Sequence, residues 1–274
     1  MRPAVSRFRS PLARAGWLAA LVLAGTPLAS LAQGFAAYIT PPRFEVQVAP
    51  GQNLRQVVEI HHVGPQTGHY RIYTNDWSFL PDNSVVFSNE LAPDSCRPWV
   101  AVEKRELQIE PGARYRYRFE ITPPAGTPAR ECRFALMIEG LEPSQVKGDL
   151  NFPVGGRIGV IVYASIGDAA PQLEVVSSRT VNVNGTPTPV VEVRNRGNAH
   201  GRLEGYLDGT DANGARLEMA PADLPILPGE TRNVAIAPVA EQGKPLPTIR
   251  FPLKVKGNLE WGKNRIPLDA SFAP

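Results

Sequence analysis

The strongest constraint on the fold is a hydrophobic alternation of period two, broken every few residues by proline, glycine, asparagine or aspartate. In RYRYRF (114–119) it is complete. Tyr115, Tyr117 and Phe119 fall on one face of an extended chain, and Arg114, Arg116 and Arg118 on the other. The pattern returns in YRIYTNDW (70–77), WVAVEKRELQIEPG (99–112), VVEVRNRG (190–197) and IRFPLKVKG (249–257). Many short, half-buried strands at near-regular spacing predict an all-β chain of sandwich type. Cations interleaved with aromatics also occur in proteins that stack single-stranded nucleic acid. An amphipathic strand with one core face and one solvated face accounts for 114–119 without that.

The punctuation repeats. Pro50-Gly51, Pro111-Gly112 and Pro228-Gly229 each open a strand: QNLRQVVEI, ARYRYRFEI and ETRNVAIAP. Proline followed by glycine suits the two central positions of a type II turn. A second echo pairs VVEIHHVGPQTGHYRIY (57–73) with VVEVRNRGNAHGRLEGYL (190–207), each read as a strand, a polar turn and a returning strand. The two halves therefore look like two versions of one sandwich. The junction is expected at Gly167-Asp168-Ala169-Ala170-Pro171, with one domain over 33–167 and a second over 171–274.

Residues 1–32 read differently. Arg2, Arg7, Arg9 and Arg14 stand without any acid, the apolar run GWLAALVLAG (16–25) follows, and TPLASLA supplies small residues before a cut after Ala32. This is the order of a secretory signal peptide, and the apolar run falls short of the roughly 20 residues that span a bilayer. The formal charge of +3 belongs to this segment: without its four arginines, 25 basic side chains face 26 acidic ones. No global field is left to draw nucleic acid or anionic membrane. In an exported chain, Cys96 and Cys132 are expected to form one disulfide.

No constellation for catalysis stands out. His61, His62, His69 and His200 lack metal-ligand spacing, and the adjacent pair His61 and His62 must face opposite sides of a strand. They read as solvated turn residues. There is no nucleophile motif, and Asp76 reads as a hydrogen-bonding residue at a strand end. Gly155-Gly156-Arg157-Ile158-Gly159 has no following helix to complete a phosphate cradle. Neither enzyme activity nor a cofactor or metal is expected. Trp77, Trp99 and Trp261 could form a carbohydrate platform only if exposed, and lone tryptophans in sandwiches usually belong to cores.

The segment LNFPVGGRIGVIV (150–162) keeps one parity across the glycine pair. Leu150, Phe152 and Val154 share it with Ile158, Val160 and Val162. It reads either as a last core strand or as an apolar strand offered to a partner by strand addition.

With YITPPRFEV (38–46), the strand at 111–121, CRFALMIEGLEP (132–143) and RIGVIVYASIG (157–167), the chain resembles the PapD-like periplasmic chaperones of chaperone–usher pili. The resemblance extends over both predicted domains. It implies two immunoglobulin-like β-sandwich domains set in an L with a cleft between them, in a periplasmic protein. It implies that pilus subunits are held by lending them a strand, here Leu150, Phe152, Val154 and Ile158, before release to an outer-membrane usher. It further implies two basic residues that anchor a subunit's C-terminal carboxylate. Arg43 matches the first by context. The second, a lysine in the family, falls at Gly159 or Arg157, and Arg157 carries the usable charge. Pro153 within the lent strand and the cysteine pair depart from the family pattern. The rival reading is an immunoglobulin-type accessory or scaffold protein of the envelope that lends no strand.

Overall fold

The computed structural model describes residues 35–141, 144–145, 153–154, 156–240, 243 and 245–274, with 144–145 and 153–154 described as backbone only. The first strands are β1 Ala37–Thr40, β2 Arg43–Val48, β3 Leu54–His62, β4 Gly68–Phe79, β5 Val85–Ser88, β6 Val100–Val102, β7 Glu106–Ile109 and β8 Arg114–Ile121. β9 Arg130–Gly140, β10 Ser144–Gln145, β11 Pro153–Val154 and β12 Arg157–Ile166 follow. The second half holds β13 Leu173–Val183, β14 Thr186–Asn195, β15 Leu207–Thr210, β16 Arg216–Pro221, β17 Thr231–Pro238, β18 Leu253–Trp261 and β19 Asn264–Phe272.

The fold is all-β, in two sandwiches with separate hydrophobic cores. In the first, the sheet β1-β3-β8-β6 faces the sheet β2-β12-β9-β4-β5, with β7 also paired to β4. Val58, Ile60, Tyr117 and Phe119 meet Ile72, Phe134, Leu136, Val160 and Val162 between them. On β8 the arginines are exposed and the aromatics turn inward, as the alternation requires. In the second sandwich one strand serves both layers. β17 pairs with β14 up to Ala235 and with β16 from Ile236 onward. Val191, Val193, Met219, Val234, Ile236, Val255 and Leu259 fill its core.

All three Pro-Gly turns form. Gln52, Ala113 and Glu230 donate their backbone N–H to Ala49, Glu110 and Leu227, at 3.1, 3.0 and 3.0 Å. The central glycines take φ of 77°, 71° and 77°, which a side chain would oppose. The predicted disulfide is present, with Cys96 and Cys132 Cα atoms 5.8 Å apart. It ties the loop before the 3-10 turn Arg97–Trp99 to β9. Asp76 is the hydrogen-bonding residue expected: it accepts from Ala92 N at 3.0 Å and Ser95 Oγ at 2.7 Å, fixing the same loop.

Several local readings need correction. The segments 57–73 and 190–207 are arches rather than hairpins. β3 and β4 belong to opposite sheets, and β14 and β15 likewise do not pair with each other. The repeat is real, but each copy crosses the sandwich. The stretch 99–112 is split between layers, β6 pairing with β8 and β7 with β4. The corner is pinned by the Tyr117 hydroxyl, which donates to the Lys104 carbonyl at 2.5 Å. At 249–257 the strand begins only at Leu253. His62 is buried rather than solvated. Its Nε2 donates to the Gln66 carbonyl and its Nδ1 bonds the Tyr70 hydroxyl, both at 2.6 Å, which holds the first arch. In the reading of 150–162, Leu150 and Phe152 lie outside the described residues. Val154 pairs with Ser144 in the short β10–β11 ladder, and β12 begins afresh at Arg157.

Candidate functional site: an open strand edge and a charged junction

The opening strand of the chain serves two sheets. β1 pairs with β3; after the Thr40-Pro41-Pro42 corner, β2 joins the other sheet in parallel with β12. The parallel register begins with Arg43 opposite Ile161 and ends with Val48 opposite Ile166. β12 starts four residues earlier, and Arg157–Val160 pair with β9 alone. Among the described residues, no strand pairs with the other side of Arg157–Val160. This leaves a short open edge whose lower end is capped by Arg43.

Parity sorts the side chains of β12. Val160, Val162, Ala164 and Ile166 enter the core, so Ile158 shares the core-facing parity. Arg157, Gly159, Ile161 and Tyr163 share the outer face. Arg157 is exposed and pairs in register with Glu139. It stands four positions from Ile161, or about 13 Å along a strand, so the two arginines singled out from the sequence are not side by side. Gly159 lies under the Phe87 ring. A Cβ there would stand 2.6 Å from Phe87 Cζ and 3.1 Å from Met137 Sδ.

The residues gathered around Arg43 come instead from the second sandwich. Arg43 Nη1 donates to Asp223 Oδ2 at 2.9 Å, and its Nε lies 3.0 Å from Glu45 Oε1. Arg202 Nη1 donates to Asp223 Oδ1 at 2.7 Å, and its Nε to Glu45 Oε1 at 3.1 Å. His200 continues the network, with Nδ1 2.5 Å from Glu131 Oε2 and Nε2 3.6 Å from Glu45 Oε1. Its ring stacks on Tyr163 at 3.8 Å, and Trp77 meets Tyr163 edge-on at 5.5 Å. A cavity of about 320 Å³ opens beside the pair Arg43–Asp223, walled by Trp77, Phe79, Ile161, Tyr163, Leu224 and Pro225.

The network shifts its members' proton affinities. The His200 ring lowers the Glu45 carboxyl to about 2, against a burial that raises it, with Arg202 and Arg43 adding to the lowering. Burial alone would depress His200, but its bonds to Glu131 and Glu45 prevail and raise it above its ordinary value. Burial lifts the Tyr163 hydroxyl to about 12, although Arg202 opposes this. Asp223 is held below its ordinary value: the bonds from Arg43 and Arg202 outweigh its desolvation.

Sequence reasoning reached Arg43, missed Arg202 and Asp223, and took His200 for a solvated turn residue, whereas its side chain is 8% exposed. GRLEG and PADLP carry no local motif, and only the packing of two sandwiches brings them to Arg43. Trp77, Trp99 and Trp261 form no platform. Trp77 packs on Tyr163, Trp99 lies under Arg130 at 5.1 Å, and the indole nitrogen of Trp261 is buried.

The chain is similar to solved structures of fimbrial chaperones. The class 5 fimbriae chaperone CfaA matches with 13% identity and a TM-score of 0.46, over 87% of this chain and 99% of that one. A chain of the Salmonella enterica complex of SafA pilin with the SafB chaperone gives 11% and 0.46, over 87% and 97%. A chain of the CsuC–CsuE chaperone–tip adhesion subunit complex, from archaic chaperone–usher Csu pili of Acinetobacter baumannii, gives 13% and 0.44, over 87% and 100%. No family model and no curated protein matches the chain.

Proposed function

We propose that the protein is a PapD-like periplasmic chaperone. In this reading it captures an extended segment of another polypeptide, a pilus or fimbrial subunit, along the edge of β12 and releases it for assembly at the outer membrane. The observation that carries the reading is the open edge at Arg157–Val160 ending at Arg43. A strand added there lies end to end with β2. If it runs parallel to β12, as β2 does, its C-terminus points at Arg43. An antiparallel strand would bring an ammonium group to a guanidinium. The geometry thus favours a partner that ends at the edge with a free carboxylate. Backbone hydrogen bonds supply affinity. The alternating residues Leu150, Phe152, Val154 and Ile158 supply apolar contacts, each worth roughly 1.5–3 kcal/mol when buried. Arg157 flanks the incoming strand at its far end.

The test is amide exchange on the mature protein with a twelve-residue peptide of alternating valine and threonine or lysine, ending in phenylalanine. Capture slows exchange at 157–160. Exchange that stays unchanged at saturating peptide overturns the reading. One observation favours the rival scaffold reading, in which no strand is lent: Asp223 already occupies Arg43. That reading expects no protection at the edge.

A further inference from the structure

The second sandwich carries an arm. β13 pairs with β14 over its whole length, but β14 meets β17 only over 190–194. Residues 180–183 and 186–189 therefore run on as two strands, closed by the turn Asn184-Gly185 with φ of 49° and 82°. Among the described residues, no strand pairs with either outer edge of this arm. The sequence treats the two edges differently. Pro187 and Pro189 stand opposite Asn182 and Thr180. A proline has no N–H to give the ladder, so these are the non-bonded pairs, and the missing N–H groups face outward from β14. That edge is barred to another strand. At the far end of the sheet, β19 is barred likewise by Pro267, opposite Asn258. By the same parity Ser178, Thr180 and Asn182 turn their N–H and C=O outward from β13, and no proline stands among 177–183. The usual guard of an exposed edge is a charge. Here the charge, Arg179, is folded away. Its guanidinium donates to Ser177 Oγ and to Asn233 Oδ1, each at 2.8 Å, and lies 3.3 Å from Glu192. Asn233 belongs to β17, so the arginine reaches back across β14 and leaves the edge uncharged. Val183, on the same face, is 48% exposed. Thr180 Oγ1 is buried and has no hydrogen-bond partner among the described residues.

We propose that the β13 edge over 177–183 is an interface for a second copy of this chain, the two strands pairing antiparallel about a twofold axis at Thr180. The bulge between Val175 and Ser177 bounds the free span at one end and the turn bounds it at the other, and Thr180 is its midpoint. In this register Thr180 meets its own copy, Ser178 meets Asn182, Arg179 meets Val181 and Ser177 meets Val183. No like charges face each other, as they would in a register centred on Arg179. The aliphatic stem of Arg179 covers Val181 of the other copy. Rotation about one side-chain bond brings the two Thr180 hydroxyls together, which gives the buried oxygen the partner it lacks. The resulting four-stranded sheet ends on both sides in Pro187 and Pro189. Association therefore closes at two copies and does not grow into a fibre. The turn of the arm stands about 30 Å along β13 from Leu173, where the second sandwich begins. The dimer thus leaves the open edge of β12 free, and the proposal stands apart from the capture reading above.

The experiment is sedimentation equilibrium of the mature protein over a range of concentrations. Wild type approaches twice the monomer mass as concentration rises. Thr180→Pro removes an N–H from the outer edge alone and leaves the ladder to β14 intact. It raises the dimer dissociation constant by about tenfold or more, at an unchanged melting temperature. Thr180→Cys becomes a covalent dimer under mild oxidation, because residues directly opposite on paired strands stand within disulfide reach. Val183→Cys, about 20 Å from its copy in this register, does not. A wild type that stays monomeric at every concentration overturns the proposal. So does a dimer that Thr180→Pro leaves as tight as before, or one that Val183→Cys links as readily as Thr180→Cys. If Thr180→Pro fails to fold, the two cysteine variants decide.

Discussion

The imidazole of His200 lies flat on the ring of Tyr163, 3.8 Å away and tilted by 26°, so the second sandwich is stacked directly on β12 of the first. Glu131, Glu45, Arg202 and Arg133 surround the two rings, which makes the junction sensitive to protons.

The sign of that sensitivity follows from the shifts. His200 is raised above 6.5, so its contribution is complete below that value and is lost as pH rises through the folded value. Glu45 is lowered from 4.5 to about 2, so its contribution is present above 4.5 and is lost only as pH falls towards 2. The junction is strongest between these limits. The melting temperature should fall as pH is raised from about 6 to 9, and His200→Gln should flatten that fall. An equal fall in both proteins would show that the slope arises elsewhere.

A second contact joins the sandwiches at another point. Arg232 donates to the Leu80 carbonyl at 3.2 Å and to Asn83 Oδ1 at 2.7 Å, and it lies over the Phe79 ring at 4.1 Å. Its side chain is almost wholly buried and also pairs with Glu230. Arg232→Ala should cost about 1.5–3 kcal/mol, the worth of hydrogen bonds to a buried charge. Urea denaturation checks this, and a change below about 0.5 kcal/mol, the range of ordinary surface substitutions, would count against it.

The disulfide should matter more to stability than to shape. Closing the chain between Cys96 and Cys132 restricts the unfolded state by about 3–4 kcal/mol in the chain-entropy account. Protein purified from an oxidising compartment should show no reactive thiol when denatured, and Cys96→Ser with Cys132→Ser should melt lower by several degrees. Two titratable thiols in the wild type would contradict the first expectation.

Phe152→Ser with Val154→Ser tests the lent strand. Capture of the peptide should be lost while the free protein keeps its melting temperature. A variant that unfolds would show that these residues belong to the core instead.

The alternation at 114–119, the Pro-Gly turns and the cysteine pair were legible because each is decided within a few residues or, for the cysteines, because the chain holds two and no more. The arches were not. VVEIHHVGPQTGHYRIY names two strands and a turn, but nothing in it says which sheet the second strand joins; a buried His62 bonded to Tyr70 decides that. The split of 99–112 depends likewise on Tyr117 reaching Lys104 from another strand. Arg43 stood out because a charge between proline and phenylalanine asks for a partner. The partner, Asp223, sits in ordinary turn sequence far down the chain, where charge is unremarked until the sandwiches meet.

Because β2 lies against β12, the first sandwich is closed by joining its beginning to its end. A chain synthesised N-terminus first presents β2 long before β12 exists to receive it. Until then the apolar side of β2, Phe44 and Val48, lacks the core residues Val160, Val162, Ala164 and Ile166. Contacts this distant in sequence form slowly and leave unpaired edges in the meantime. While it is being made the first sandwich is thus incomplete and awaiting one strand, and it is relieved of that condition by a later part of itself.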